Sequence, residues 1–180
     1  MIAAIAAMLL VQTAAVPLNS AKTNPAAAAA PQRPVLPSSI SGYFAGHWSG
    51  SGTFVRTGKP VHSHYDFEPG LGGEDMVVHH REEAPATFAY DGLLSVDSRT
   101  GEIVLLMAAN LKGGARLFKS NGWAKDKLVF QSAPQLKAWF ALERFTFWRE
   151  APNRFRATYE MSVDDGLTWH VGDQQIFTKS

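Results

Sequence analysis

The sequence predicts an all-β protein, an antiparallel up-and-down barrel of about ten strands with one short helix before the first strand. Three observations predict this architecture. Turn-forming residues recur at nearly even spacing from Ser41 onward, and the segments between them alternate apolar and polar residues. No helical pattern longer than two turns interrupts the series. Aromatic residues make up 11% of the chain, which is enough to line the inside of a barrel.

The first forty residues lie outside the predicted barrel. Residues 2–11 form an apolar run that is followed by the small residues Thr13-Ala14-Ala15, and the run is short for a membrane span. We therefore predict a signal peptide over residues 1–21 and a secreted or periplasmic protein with no stable membrane insertion after cleavage. A retained N-terminal membrane anchor is the alternative. Residues 22–40 are rich in Pro and Ala and predict a disordered linker.

A β-barrel domain is the prediction for residues 41–180, and a short helix leads into it. The helix is expected over Ser38–Phe44, with Ser38 or Ser39 as its cap. Nine turn signals follow, each built on Gly, Pro, Asn or Asp, and they divide the chain into about ten strands.

The segments between the turns have the patterns of strands. Phe155–Val163 alternates without a break, whereas Ile103–Ala109 is apolar throughout and is expected to be covered on both faces. Because strands joined by hairpins leave unpaired edges, the even meander favours closure into a barrel over a sandwich.

Gly46-His47-Trp48 follows the predicted helix at the head of the first strand. This Gly-x-Trp placement resembles that of lipocalins and the wider calycin superfamily, and its extension through Gly50, Gly52 and Phe54 resembles nitrobindin-like barrels. The chain most closely resembles a family of small bacterial secreted barrels of unassigned function in that superfamily. The further segments that carry this resemblance are Leu71–Met76, Tyr90–Leu93, Val96–Gly101 and Ser162–Trp169.

The resemblance covers residues 43–180 and implies structural roles for Gly46 and Trp48. The indole is expected to plug one end of the barrel, while the glycine lets the helix and the strand cross closely. Lipocalins place a basic residue of the last strand, usually Arg, over this Trp, and Lys179 is the candidate here.

Aromatic residues on most of the strands are the candidates for a ligand cavity. They either surround a flat or aliphatic molecule or fill a solid core, and the sequence leaves both outcomes open. The cavity candidates are Tyr65, Phe67, Phe88, Tyr90, Trp123, Phe145, Phe147 and Tyr159.

Histidines are the candidates for a metal or haem site. His62 and His64 share one face of a strand, and a hairpin at Gly70–Gly73 is expected to place His64 opposite His79 or His80, which would suit Zn or Cu. The alternative is that these residues are polar groups on the solvent face. His170 lies near the C-terminus, where nitrobindin-like barrels bind haem through a His, so that resemblance implies a possible axial ligand.

Composition excludes several functional classes. The net charge is +1 without a basic patch, which argues against nucleic acid, and no Cys is present to form a disulfide or a thiol nucleophile. We therefore predict a barrel that binds a small hydrophobic molecule, with no cofactor and no catalysis assigned. The alternatives are an enzyme acting on a barrel-bound molecule, including the haem and His-metal forms, and an interaction or structural module of the cell envelope. The oligomeric state is open.

Overall fold

A computed structural model describes residues 33–111, 114–132 and 141–180 of the chain. The predicted signal peptide, and the predicted linker up to residue 32, lie outside the described residues. The described residues form a closed antiparallel barrel of ten strands with one short α-helix, which confirms the predicted fold class. No helix in this part of the chain is long and apolar enough to span a membrane.

The strands form one antiparallel series in which β11 returns to pair with β1 and β6 pairs with β8. The short β7 pairs with β8 outside this ring. The elements are α1 (Ser38–Phe44), β1 (Gly46–Phe54), β2 (Pro60–Pro69), a 3-10 turn (Leu71–Gly73), β3 (Met76–Glu82), β4 (Ala89–Val96), β5 (Ile103–Ala109), β6 (Ala115–Ser120), β7 (Trp123–Ala124), β8 (Lys127–Ser132), β9 (Leu142–Ala151), β10 (Arg154–Ser162) and β11 (His170–Lys179).

The helix α1 has the predicted bounds but not the predicted cap. Pro37 is the N-cap, with extended backbone angles, and no side chain caps the helix, because the helical backbone already includes Ser38 and Ser39. Arg33–Ser180 form one compact unit. Leu36, inside the range predicted as linker, is buried, and its N–H donates to the Glu74 carbonyl at 2.8 Å.

Trp48 and α1 close one end of the barrel. Trp48 is fully buried, and its indole Nε1 donates to the Phe44 carbonyl at 2.6 Å, which ties β1 to the helix. The Trp48 ring lies 4.8 Å from that of Phe155. The Lys179 ammonium lies 5.3 Å from the centre of the indole, in the place that the resemblance assigns to a basic residue. This end of the barrel is therefore packed solid.

Two glycines of β1 allow β1 and β11 to approach closely. A Cβ added to Gly50 would lie 2.3 Å from the Phe177 ring, and one added to Gly52 would lie 1.8 Å from the Gln174 carbonyl oxygen. The Gly-x-Gly repeat is therefore a packing requirement of the barrel wall.

Candidate functional site

The half of the barrel remote from α1 encloses a cavity of about 280 Å³. Phe54 and Glu82 end β1 and β3 and line this cavity, whereas α1 precedes the first residue of β1, so the cavity lies at the opposite end from the Trp48 plug. Its aromatic wall consists of Phe54, Tyr65, Phe88, Phe145, Tyr159 and Phe177, and its polar lining includes His80, Glu82, Arg116, Asp173 and Gln175.

The eight aromatic residues predicted to line a cavity divide between the two halves of the barrel. Tyr65, Phe88, Phe145 and Tyr159 line it. Phe67, Tyr90 and Phe147 surround a gap of only about 10 Å³ nearer the plug, and the Trp123 ring lies 5.6 Å from that of Tyr43 in α1. The alternatives of a hollow and a filled interior therefore each describe one half of the molecule.

A buried ion pair and a tyrosine form the first polar group of the cavity. Arg116 Nη1 donates to Glu143 Oε1 at 3.0 Å, and both side chains are 5% exposed. The Tyr159 hydroxyl donates to the same oxygen. Burial and the charge of Glu143 raise the pKa of Tyr159 above its ordinary value, so the phenol keeps its proton and stays a donor.

This cluster of Arg116, Glu143 and Tyr159 is incompletely satisfied. Arg116 Nε and Glu143 Oε2 are buried and find no hydrogen-bond partner in the described residues. Because an unpaired buried polar atom costs free energy, such atoms mark places where a ligand or a water molecule can bind.

Asp173 and Glu82 form the second polar group. Burial raises the pKa of Asp173 from 3.8 to about 6, against the opposing hydrogen bond that Gln175 Nε2 donates at 3.3 Å. Burial also raises the pKa of Glu82, although the Phe88 N–H donates to its Oε2 at 3.1 Å. In the described part of the chain, neither carboxylate forms an ion pair within 4.0 Å with Lys or Arg. Gln175 is itself held by the Ser63 hydroxyl, which donates to its Oε1 at 2.7 Å.

His80 is the imidazole that faces the cavity. Burial lowers its pKa to about 3, so the ring is neutral, and its Nδ1 has no hydrogen-bond partner among the described residues. The ring lies 4.4 Å from that of Tyr65. His80 points inward because it is in phase with the buried Met76 and Val78 on β3.

The predicted histidine cluster does not form. In the β2–β3 hairpin, Tyr65 pairs with His80, Asp66 with His79 and His64 with Arg81, so the prediction that His64 lies opposite His79 or His80 was wrong. The register differs from the expected one by at least one residue, and such a slip moves a side chain to the other face.

The remaining histidines of the predicted cluster lie on the outer face. His62 is exposed, His64 Nε2 lies 2.6 Å from Glu83 Oε1 and His79 Nδ1 lies 2.7 Å from Asp91 Oδ1. Within the described residues, no three potential metal ligands come together.

His170 does not face the cavity. It is the exposed first residue of β11 and borders an outer groove together with Val55, Arg56 and Thr57, which are exposed as well. Because these walls are open to solvent, the described residues beside His170 do not fit a haem, which needs an enclosing apolar pocket.

The prediction from the sequence omitted the polar side of the cavity. The two-residue period contains a signal for it, because Arg116 is in phase with Phe118, and Asp173 and Gln175 are in phase with Phe177. No family model matches the sequence, and no curated protein matches it significantly.

Proposed function

We propose that this protein is a secreted or periplasmic barrel whose function is to bind a small, largely apolar molecule in the cavity. The observation that carries the proposal is the aromatic-walled cavity of about 280 Å³ at the end of the barrel remote from the plug. This volume lies at the lower limit of ordinary ligand sites, which span roughly 300 to 1,000 Å³. The ligand is therefore smaller than most drug-sized molecules.

The packing of the two halves supports the proposal. Large side chains such as Trp48, Phe44 and Phe155 fill the half of the barrel next to α1. In the other half, the aromatic side chains of the wall leave a cavity between them. Larger side chains in this space would increase the stability of the fold, because the residues around an empty cavity lack van der Waals contacts with one another.

A variant that fills the cavity tests the proposal. Ala157 lines the cavity, so Ala157→Phe places a ring in the ligand's space. We expect this variant to bind the neutral fluorescent probe N-phenylnaphthylamine at least about tenfold more weakly than the unchanged protein. Ala108→Phe is the matched control, because Ala108 is exposed on the outer face of β5.

Fluorescence titration measures the affinities, and thermal unfolding checks that both variants fold. Absence of probe binding by the unchanged protein, or equal binding by the folded Ala157→Phe variant, would overturn the proposal. Native mass spectrometry of the purified protein adds a second readout, since a co-purified ligand appears as a discrete extra mass.

A further inference from the structure

We infer that the molecule bound in the cavity carries a positively charged amine beside its apolar part, and that Asp173 and Glu82 are the counter-ions of this amine. The inference rests on the proposed function, because it names the class of ligand for the same cavity.

Acidic side chains outnumber cationic side chains in the lining of the cavity. Glu82 and Asp173 bring two carboxyl groups to its lining, whereas Arg116 is the one cationic side chain of the described residues that lines it. The guanidinium of Arg116 is already paired with Glu143 at 3.0 Å. Glu82 and Asp173 are therefore left as acidic groups without a cation, in surroundings where an unpaired charge is costly.

Glu82 and Asp173 line the same cavity. Burial raises the pKa of Glu82, and the nearby charge of Asp173 adds to this effect. Like charges near one another in an enclosed site are relieved by proton uptake or by a cation placed with them. A ligand ammonium would supply that cation and three hydrogen-bond donors at once.

Aromatic side chains form much of the wall of the cavity. The rings of Tyr65, Phe88 and Phe145, among others, line the same space as the carboxylates. Aromatic faces carry partial negative charge and attract cations, while the rings also contact the apolar part of a ligand. The wall therefore suits an amine attached to an aromatic or aliphatic group.

The same features disfavour the other simple classes of ligand. A carboxylate, such as that of a fatty acid, would enter a cavity that two carboxyl groups already line and would find its one guanidinium paired with Glu143. A neutral apolar molecule would fill the space but leave Asp173 and Glu82 without a partner.

Three probes of similar shape and different charge test the inference. Benzylamine, benzyl alcohol and benzoate are titrated by calorimetry into the unchanged protein at a pH well above the pKa of Asp173. We expect benzylamine to bind at least about tenfold more tightly than benzyl alcohol, and benzoate to bind most weakly.

Neutral variants then identify the counter-ions. The Asp173→Asn and Glu82→Gln double variant should reduce the preference for benzylamine over benzyl alcohol to about twofold or less. Glu68→Gln is the control with the same change of charge, because Glu68 is exposed on β2 and outside the cavity. The single variants are measured as well, so that a folding defect of the double variant does not remove the test.

The outcomes separate this inference from the proposed function. Equal binding of benzylamine and benzyl alcohol, or tighter binding of benzoate, overturns the cationic ligand and leaves a binding barrel. A preference for benzylamine that survives in the folded Asp173 and Glu82 variants overturns their role as counter-ions. Failure of all three probes to bind a protein that does bind N-phenylnaphthylamine overturns the inference alone, and failure of all four probes overturns the proposed function as well.

Discussion

Asp173 is an acidic side chain in the hollow half of the barrel, where it lines the cavity. Its inward direction follows from the alternation on β11, where Phe177 and Gln175 share its face. Burial disfavours its charged form and raises its pKa to about 6. In the described part of the chain, the other titratable side chains that line the same cavity are Tyr65, His80, Glu82, Arg116 and Tyr159, and Glu143 is paired with Arg116.

Replacing Asp173 by Asn should stabilise the protein in a pH-dependent way. The folded pKa of about 6 lies above the ordinary 3.8, so folding favours the protonated carboxyl. That stability is fully present below the ordinary pKa and is lost as the pH rises through the folded one. We therefore expect Asp173→Asn to raise the free energy of unfolding at about pH 8, by up to roughly 2 kcal/mol since the group is partly exposed, with little gain near pH 4.

Urea unfolding at a series of pH values measures this effect. Glu68→Gln again serves as the control, because Glu68 lies on the outer face and should give no pH-dependent gain. The same gain at both ends of the pH range would contradict the assigned burial of the Asp173 carboxyl.

At the level of the element, β1 shows how glycine spacing shapes the barrel wall. Gly50 and Gly52 lie where β11 approaches too closely for a side chain, and the nearest contact at Gly52 is backbone rather than a movable side chain. Gly42 in α1 is a different case, since it is exposed and a Cβ there would meet nothing within 4 Å.

We expect alanine to have opposite effects at Gly52 and Gly42. Gly52→Ala forces β1 and β11 apart and should lower the free energy of unfolding by about 1–3 kcal/mol. Gly42→Ala should raise it by up to about 1 kcal/mol, because alanine reduces the backbone entropy that is lost on forming the helix. Thermal and urea unfolding of the two variants measures both signs, and a neutral Gly52→Ala would contradict the close strand approach.

At the level of the whole molecule, closure of the barrel depends on a short seam. β6 and β8 are joined by only two residue pairs within the described residues, Phe118 with Ser132 and Lys119 with Gln131. The β9–β10 and β1–β2 pairings extend over almost the full length of their strands. The seam is therefore the place where the fewest backbone hydrogen bonds resist local opening.

Hydrogen exchange should show this difference directly. We expect backbone amides of β6 and β8 that point across the seam to exchange at least about tenfold faster than amides in the β1–β2 pairing, because opening the seam breaks fewer hydrogen bonds. Amides of β6 that point to β5 provide an internal control on the same strand. Equal protection on both sides of β6 would mean that the barrel opens as one unit.

Much of the barrel could be predicted from patterns within single segments. The turn signals indicate where strands begin and end, the serines at positions 38 and 39 predict the start of α1, and the two-residue period separates the faces of each strand. The outward direction of His62 and His64 follows in the same way, because both alternate with the buried Val61, Ser63 and Tyr65. These are local properties of the chain, so they can be predicted from a single sequence.

The candidate site could not be predicted to the same extent, because it depends on which strands meet and in which register. His80 and His79 are neighbours in the sequence, yet pairing with Tyr65 and Asp66 sends one into the cavity and the other to solvent. Arg116 and Glu143 form their ion pair only because the closed barrel brings β6 and β9 to one interior.

The sequence by itself determined the all-β class, the helix before the first strand and the alternation of faces, because these follow from periodicity and turn chemistry. Only the tertiary structure decided that one half of the interior is filled around Trp48 and that the other is hollow and acidic around Asp173. The physical reason is that packing and charge pairing are set by contacts between residues far apart in the chain, and closure of the barrel determines those contacts.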